Sequence, residues 1–305
     1  MQLIGICLWK EIIMTIRHLR VFIIVADLGN MTAAAKKLFI AQPSVSQTIK
    51  ELEKYYNIRL FERLSKKLYI TEEGKQLLSY ARHIVSLFDE MEQKMKQSAE
   101  NSTLKIGASV TIGTCILSQL YEEFLYSYPN VGIQSVVDNT TIIEEMVLKS
   151  EIDFGLVEGP IHSEDIVSRP FMNDELILIC GKDHAFREKS QVTVQDLLKA
   201  DFILRERGSG TRELFENTML AKGINLNVIA MCNNAETIKN AVISNLGVSV
   251  ISKMIVENEL KGGKLFHIRI DNIELKRKFN IIYHKNKYIS KPINDFWNLC
   301  LSIYR

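Results

Sequence analysis

Residue type and spacing mark two kinds of chemistry in this chain. One is suited to gripping an anion. Ala108-Ser109-Val110-Thr111-Ile112-Gly113 lies between an expected strand and an expected helix. A helix start offers free N–H groups and the positive end of the macrodipole, and the hydroxyls of Ser109 and Thr111 add donors. Plain N-capping by the same hydroxyls is the other reading. Arg205-Glu206-Arg207-Gly208-Ser209-Gly210-Thr211-Arg212 is a second such stretch. Its glycines allow close backbone approach, successive N–H groups can cradle an anion, and arginine binds oxyanions through a fork of donors. Ser209 and Thr211 are the expected ligand contacts, and the arginines have local carboxylates as alternative partners. Asn139-Thr140 and Asn233-Asn234 also stand between strand and helix, where Asn is commonly a cap.

The other chemistry reads polar edges. A helix beginning near Gln42-Pro43 buries Val45, Ile49 and Leu52 and exposes Gln42, Ser44, Ser46, Gln47 and Lys50. Glutamine can pair with adenine through two hydrogen bonds, serine can donate or accept, and lysine suits phosphate or guanine. Downstream, Arg63, Lys66 and Lys67 surround a turn between two short strands, a basic wing placed to lie along phosphates.

Catalysis is disfavoured. Ser209 or a cysteine would need a base from His162, His184, His267 or His284, and no GxSxG, HExxH or GxxxxGK[ST] pattern occurs. The five cysteines are odd in number, scattered and without CxxC or CxxH spacing, so neither a zinc site nor a disulfide framework is expected. Reduced thiols in the cytoplasm fit this usage. No metal and no cofactor are expected, and no apolar run reaches the roughly 18 residues of a membrane span.

Elements must position these residues. At roughly 100–200 residues per domain, 305 residues make two or three units. The net charge of +2 hides an asymmetry: residues 14–74 hold ten Lys/Arg against six Asp/Glu, whereas residues 102–305 hold 23 against 25. A basic front end on a slightly acidic body suggests a DNA-touching module joined to something else. Residues 1–13 lack the basic start and small-residue cleavage site of a secretory signal. They are either an extension ahead of a native start at Met14 or a short extra helix. Ile16–Leu28, an alanine-rich helix over Met31–Leu38 capped by Asn30, and the helix from Gln42 make a helix-turn-helix, with a wing to residue 74.

Residues 75–101 read as a linker helix. Leu77, Ala81, Ile84, Phe88, Met91 and Met95 repeat at spacings of four and three, a coiled-coil seam that implies a homodimer. Beyond residue 101, strands and helices alternate: Leu104–Ala108, a helix over Ile112–Tyr126, Val131–Val137, Thr140–Lys149 and Phe154–Val157. This order predicts an α/β body with a largely parallel sheet. A second set of elements follows, and two α/β lobes with two crossovers suit a hinged clamp with its ligand in the cleft. Glu158-Gly159-Pro160 marks the cleft rim or a turn.

The runs TAAAKKLFIAQPSVSQTIKELE and LFERLSKKLYITEEG resemble the N-terminal domain of LysR-type transcriptional regulators over about residues 16–95. Matching positions include Ala34, Ala35, Leu38, Gln42, Pro43, Ser46, Ile49, Leu52, Glu53, Leu60, Phe61, Arg63, Thr71 and Gly74. The resemblance implies base contacts from Gln42, Pro43, Ser46 and Gln47 and backbone contacts from Thr32, Arg63 and Lys67. Two positions depart from the pattern: Ala41 where a capping Ser or Thr is common, and Gln47 where Arg is common. The resemblance also implies a periplasmic-binding-protein-like effector domain, with lobe one at 102–173 and 280–305 and lobe two at 174–279. The Gly-Ser-Gly-Thr-Arg run resembles the effector loop of LysR regulators of sulfur assimilation and carbon fixation. The implied protein is a cytoplasmic regulator that binds promoter DNA and a small anionic metabolite or inorganic anion. Its dimers pair into tetramers, and RNA polymerase is a further partner it can have. Effector contacts would be Ser109, Thr111, Asn139, Thr140, Ser209, Thr211 and Asn234. A ligand-independent DNA-architectural protein is the alternative, and it leaves the body idle; a hydrolase using Ser209 is a weaker one.

Overall fold

The computed structural model describes residues 14–64, 67–96 and 103–304. The extension or short helix expected over 1–13 lies outside them, as does Lys66. The chain divides into two compact units, Met1–Lys96 and Gln97–Arg305.

In the first unit, α1 (Ile16–Leu28), α2 (Met31–Leu38) and α3 (Gln42–Tyr56) close over one core. Leu19, Phe22 and Val25 of α1 meet Ala34 and Ala35 of α2 and Val45, Ile49 and Leu52 of α3. The two alanines leave room for the neighbouring backbones to approach. Asn30 starts α2 by accepting the N–H groups of Thr32 at 2.8 Å and Ala33 at 3.0 Å. β1 (Phe61–Leu64) and β2 (Lys67–Ile70) pair antiparallel as the wing. Thr71 Oγ1 accepts the Gly74 N–H at 2.9 Å and opens α4 (Glu72–Lys96), 25 residues or about 37 Å long. Gly74 is needed there, because a Cβ would fall 2.4 Å from the Leu60 carbonyl oxygen.

The expected linker seam is split. Leu77 and Ala81 pack into the domain's own core beside Leu78 and Val85, held by Arg82–Asp27 and Arg20–Asp89 ion pairs to α1. The apolar strip left exposed is Tyr80, Ile84, Leu87 and Met91. The first turns of α4 are claimed by α1, which rotates the free stripe by about one position; the Met95 side chain lies outside the described residues.

The second unit opens with β3 (Thr103–Ser109), α5 (Val110–Cys115), α6 (Leu117–Ser127), β4 (Gly132–Asp138), α7 (Thr140–Leu148) and β5 (Phe154–Val157). The helix expected over Ile112–Tyr126 is two helices, broken at Ile116, whose φ of −124° lies outside the helical range. A long β6 (Ile166–Gly181) follows, then β7 (Gln191–Val192), α8 (Val194–Leu197), β8 (Asp201–Arg205), α9 (Gly210–Leu220), β9 (Asn227–Cys232) and α10 (Ala235–Ile243). β10 (Ser249–Ser252), α11 (Glu257–Lys261), β11 (Leu265–Ile270), β12 (Leu275–His284) and α12 (Lys291–Ile303) complete it.

The sheet runs β4-β3-β5-β12-β6-β11-β7, with β10 also on β6, and β8-β9 pair separately. β3 is parallel to β4 and β5, as their alternation with helices predicts. β6 instead pairs antiparallel with β12, β11 and β10, so the body is mixed and not largely parallel. The sequence marks only Glu175–Cys180 of β6; Pro170 and the charged residues around it hide the first part. Pro170 lies at a bulge, where the partner of β12 moves from Met172 at Phe279 to Pro170 at Asn280. β6 and β12 join two groups of cores. One gathers Leu120, Phe124, Phe154, Phe296 and Trp297, and the other Leu178, Phe202, Phe215 and Val250.

Candidate functional site

The reading face lies on α3. Gln42, Pro43 and Ser44 are exposed at its start, with Gln47 and Lys50 following on the same side and Ser46 half-buried. Ala41 provides no side-chain cap. Gln47 Nε2 donates to Glu51 Oε1 at 2.9 Å. That bond, with a second from His18, holds the Glu51 carboxyl below its usual range. An amide has two N–H groups, so Glu51 orients Gln47 and leaves one donor and the Oε1 acceptor for a base edge. Thr32 is exposed at the start of α2, and the backbone puts Arg63 on β1 and Lys67 on β2.

In the second unit, most of the expected anion-binding residues converge. Ser109 ends β3, Thr111 stands in α5, Thr140 opens α7, and Ser209 and Thr211 open α9; all five are buried. The hydroxyls do not stand empty. Ser109 Oγ donates to Glu158, and Thr111 Oγ1 donates to Glu158 Oε1 at 3.0 Å. Arg277 on β12 lies across them: Nη1 donates to Thr211 Oγ1 at 2.9 Å, Nη2 to Thr111 Oγ1 at 3.3 Å and Nε to Asp174 Oδ2 at 2.6 Å. Ser252 donates to the other oxygen of Asp174 at 2.7 Å. Two carboxylates and one guanidinium are therefore buried together and bridged by hydroxyls from both groups of cores.

α5 has only six residues, so the helix-dipole part of the anion argument at Ser109 falls away; its hydroxyl serves Glu158. At α9 the backbones close up. A Cβ on Gly210 would lie 2.4 Å from Gly159 Cα, and Thr141 N–H donates to Gly208 O at 3.2 Å. Beside this contact, Ser209 Oγ and Thr140 Oγ1 are buried without a hydrogen-bond partner. Buried hydroxyls are nearly always bonded, so two orphans at one seam are donors available to a guest.

Asn139 caps α7 by accepting Ile142 N–H at 3.1 Å, and Asn234 caps α10 through Thr237 N–H at 2.8 Å. Asn234 is exposed and its amide is held by neighbouring residues, so it is not brought into the cluster. Arg205 pairs with Glu206 and Arg212 with Glu216, each at 2.8 Å. Sequence reading missed Arg277 and Asp174 and gave Glu158 only a rim. The available signal was alternation: Leu275, Arg277, Phe279 and Ile281 share the buried face of β12.

Ser209 Oγ makes no hydrogen bond to a base, and burial pushes the Cys115 and Cys180 thiols up to about 11 and Cys300 to about 12. Thiols so raised are not nucleophilic near neutral pH. No group of three or more His, Cys, Asp or Glu side chains among these residues could hold a metal ion.

Residues 16–75 match the bacterial regulatory helix-turn-helix proteins of the lysR family, and residues 97–304 match the LysR substrate binding domain. The chain belongs to the LysR family. It is 33% identical over 286 residues to the uncharacterized HTH-type transcriptional regulator YeiE of Escherichia coli K12, covering 94% of this chain and 97% of that protein. It is also 33% identical over 292 residues to a probable RuBisCO transcriptional regulator of Phaeodactylum tricornutum, covering 93% and 95%. Among solved structures, the Synechocystis CcmR regulatory domain in complex with 2-PG matches with a TM-score of 0.63 at 25% identity, over 67% of this chain and 98% of that one. Full-length OxyR from Pseudomonas aeruginosa matches with a TM-score of 0.65 at 20% identity, over 95% and 94%, a likeness of fold. This LysR-type transcriptional regulator therefore pairs a winged helix-turn-helix, which binds DNA, with a periplasmic-binding-protein-like effector domain. No helix among the described residues is long and apolar enough to cross a membrane.

Proposed function

We propose that this regulator is switched by a small anion bound at the Ser109–Thr111–Thr140–Ser209–Thr211 cluster, acts by binding alone, and works in the cytoplasm. The observation that carries this reading is the pair of buried, unpartnered hydroxyls, Ser209 and Thr140, beside a guanidinium that spans both groups of cores. Glu158 takes the single O–H of Ser109 and of Thr111, so a guest anion displaces that carboxylate or draws on the free donors of Ser209 and Thr140. The ligand's preference for one hinge state sets how far it shifts the protein. CcmR was solved with 2-PG and QuiR with shikimate, both in effector domains of this fold.

The exposed strip Tyr80, Ile84, Leu87 and Met91 supports pairing of two chains along α4, and pairs of dimers follow from the family pattern. Two recognition helices then read two half-sites, with Gln42, Pro43, Ser46 and Gln47 at base edges and Thr32, Lys50, Arg63, Lys66 and Lys67 along the backbone. RNA polymerase is the partner through which promoter binding changes transcription. The test is a thermal-shift screen of the full chain against inorganic oxyanions and small organic acids. A ligand at 100 times its dissociation constant adds about 2.7 kcal/mol. A stabilising anion whose effect disappears in Ser209→Ala with Thr211→Ala supports the site, and an unchanged response in that variant refutes it.

A further inference from the structure

Three helices of the DNA-binding unit end on a residue in the left-handed region. α1 ends on Gly29 at φ 56° and α3 on Asn57 at φ 53°. Glycine and asparagine take this conformation most readily. α2 ends on Phe39 at φ 54° and ψ 40°, a residue type that resists it. The chain holds Phe39 there. Its N–H bonds to the carbonyls of Ala35 and Lys36, Ile40 N–H bonds to Ala35 O at 3.1 Å, and the Ile40 side chain packs on the core.

The ring gains nothing inside the domain in return, because Phe39 is 95% exposed. A residue that is both strained and solvated adds no folding stability, so its contribution lies on a surface outside this chain. Its surroundings say which surface. Lys36 and Lys37 are exposed in the last turn of α2, and Ala41, Gln42, Pro43 and Ser44 form the exposed start of α3. In a helix-turn-helix, that start is the part presented to base edges.

We propose that Phe39 is a DNA-contact residue. Its ring packs on an apolar patch of the duplex, a thymine methyl or a deoxyribose, at the wall of the groove that α3 enters. The left-handed turn aims it there, between the cations of α2 and the polar face of α3. Aromatic contact with thymine methyls is an established mode of readout.

The test uses the full chain and a duplex that the unmodified chain has selected from a random-sequence pool. Phe39→Asn keeps the left-handed turn, so its melting temperature should equal or exceed that of the parent. Its affinity for the selected duplex should fall about tenfold, equivalent to 1.4 kcal/mol. The slope of log K against log salt should not change, since an apolar contact releases no counterion; Lys37→Ala should lower that slope by about one. Phe39→Trp should bind within about twofold of the parent. Parent-like affinity in Phe39→Asn overturns the proposal. So does a fall in melting temperature that Phe39→Trp shares, which marks a scaffold role. Normal DNA binding with lost transcription overturns it too, and assigns the ring to a protein partner.

Discussion

Gly210→Ala tests the geometry of the cleft without removing any polar group. The new Cβ would lie 2.4 Å from Gly159 Cα and 2.7 Å from Gly159 N, both backbone atoms that cannot rotate away. Carbon atoms pack at about 3.5–4.0 Å, so the two segments must separate by roughly 3.5 minus 2.4, or about 1.1 Å. The Arg277 Nη1 to Thr211 Oγ1 bond is 2.9 Å. Opened by the same amount, it becomes about 4.0 Å and is lost. Overpacking costs about 1–3 kcal/mol, and alanine's better helix propensity at the start of α9 returns up to about 1 kcal/mol. The domain should therefore fold, with its seam held open. The assay is the anion-induced thermal shift of the full chain, read beside binding to a selected duplex. At a concentration 100 times the parent's dissociation constant, the parent gains about 2.7 kcal/mol, and a tenfold loss of affinity cuts that to about 1.4 kcal/mol. We expect at least that loss, with duplex affinity unchanged in the absence of ligand. A full-sized shift in Gly210→Ala refutes the reasoning, because the ligand would then not need the closed seam.

Other variants read the DNA face, the exposed strip of α4 and the pH dependence of the same seam. Gln47→Ala should relax preference at one base-pair position, whereas Lys67→Ala should weaken all sequences alike and lower the salt slope by about one; identical behaviour of the two on selected and random duplexes contradicts the assignment. Ile84→Glu puts a charge in the exposed strip of α4 and should shift the sedimenting species from dimer toward monomer; an unchanged mass at micromolar concentration rules that strip out as the seam. His162 Nε2 lies 3.0 Å from Glu213 Oε1 on α9 and Nδ1 3.5 Å from Glu144 Oε2 on α7. The Glu213 hydrogen bond leads in raising its pKa, against a smaller desolvation effect. A raised folded pKa means that this tie is complete below the unfolded value of about 6.5 and fades as pH rises through the folded value. Proteolysis at the seam should therefore quicken in the parent as pH rises above about 6.5. In His162→Gln that rise should be smaller; an equal rise in both refutes the linkage.

Local signals in the sequence carried further than long-range ones. Asn30 before an alanine-rich run, Pro43 in the first turn of α3 and the Val45, Ile49, Leu52 stripe each specify a local structure, and each stands where the pattern puts it. The hydroxyl-rich stretches were legible only as far as two uses, capping or donation to a guest, and the geometry separates them: neither Ser109 nor Ser209 makes a side-chain cap bond. Arg277, Asp174 and Glu158 were not. Nothing local distinguishes a charged residue on a buried strand face from one on a solvated face, and their pairing spans 103 positions from Asp174 to Arg277. The α4 strip was misread for a related reason. A heptad says that a stripe is buried but not by what, and α1 takes its first part. Phe39 was passed over because its exposure and backbone angle exist only in three dimensions.

On the proposed function, the buried hydroxyl cluster and the reading face of α3 belong to one equilibrium. Linkage makes this measurable as a single number. The factor by which a stabilising anion changes duplex affinity must equal the factor by which the duplex changes anion affinity. Titrating the full chain with each ligand in the absence and presence of the other gives both factors. Equal factors different from one are expected, both falling to one in Ser209→Ala with Thr211→Ala. Tight binding of both ligands with both factors at one would contradict it.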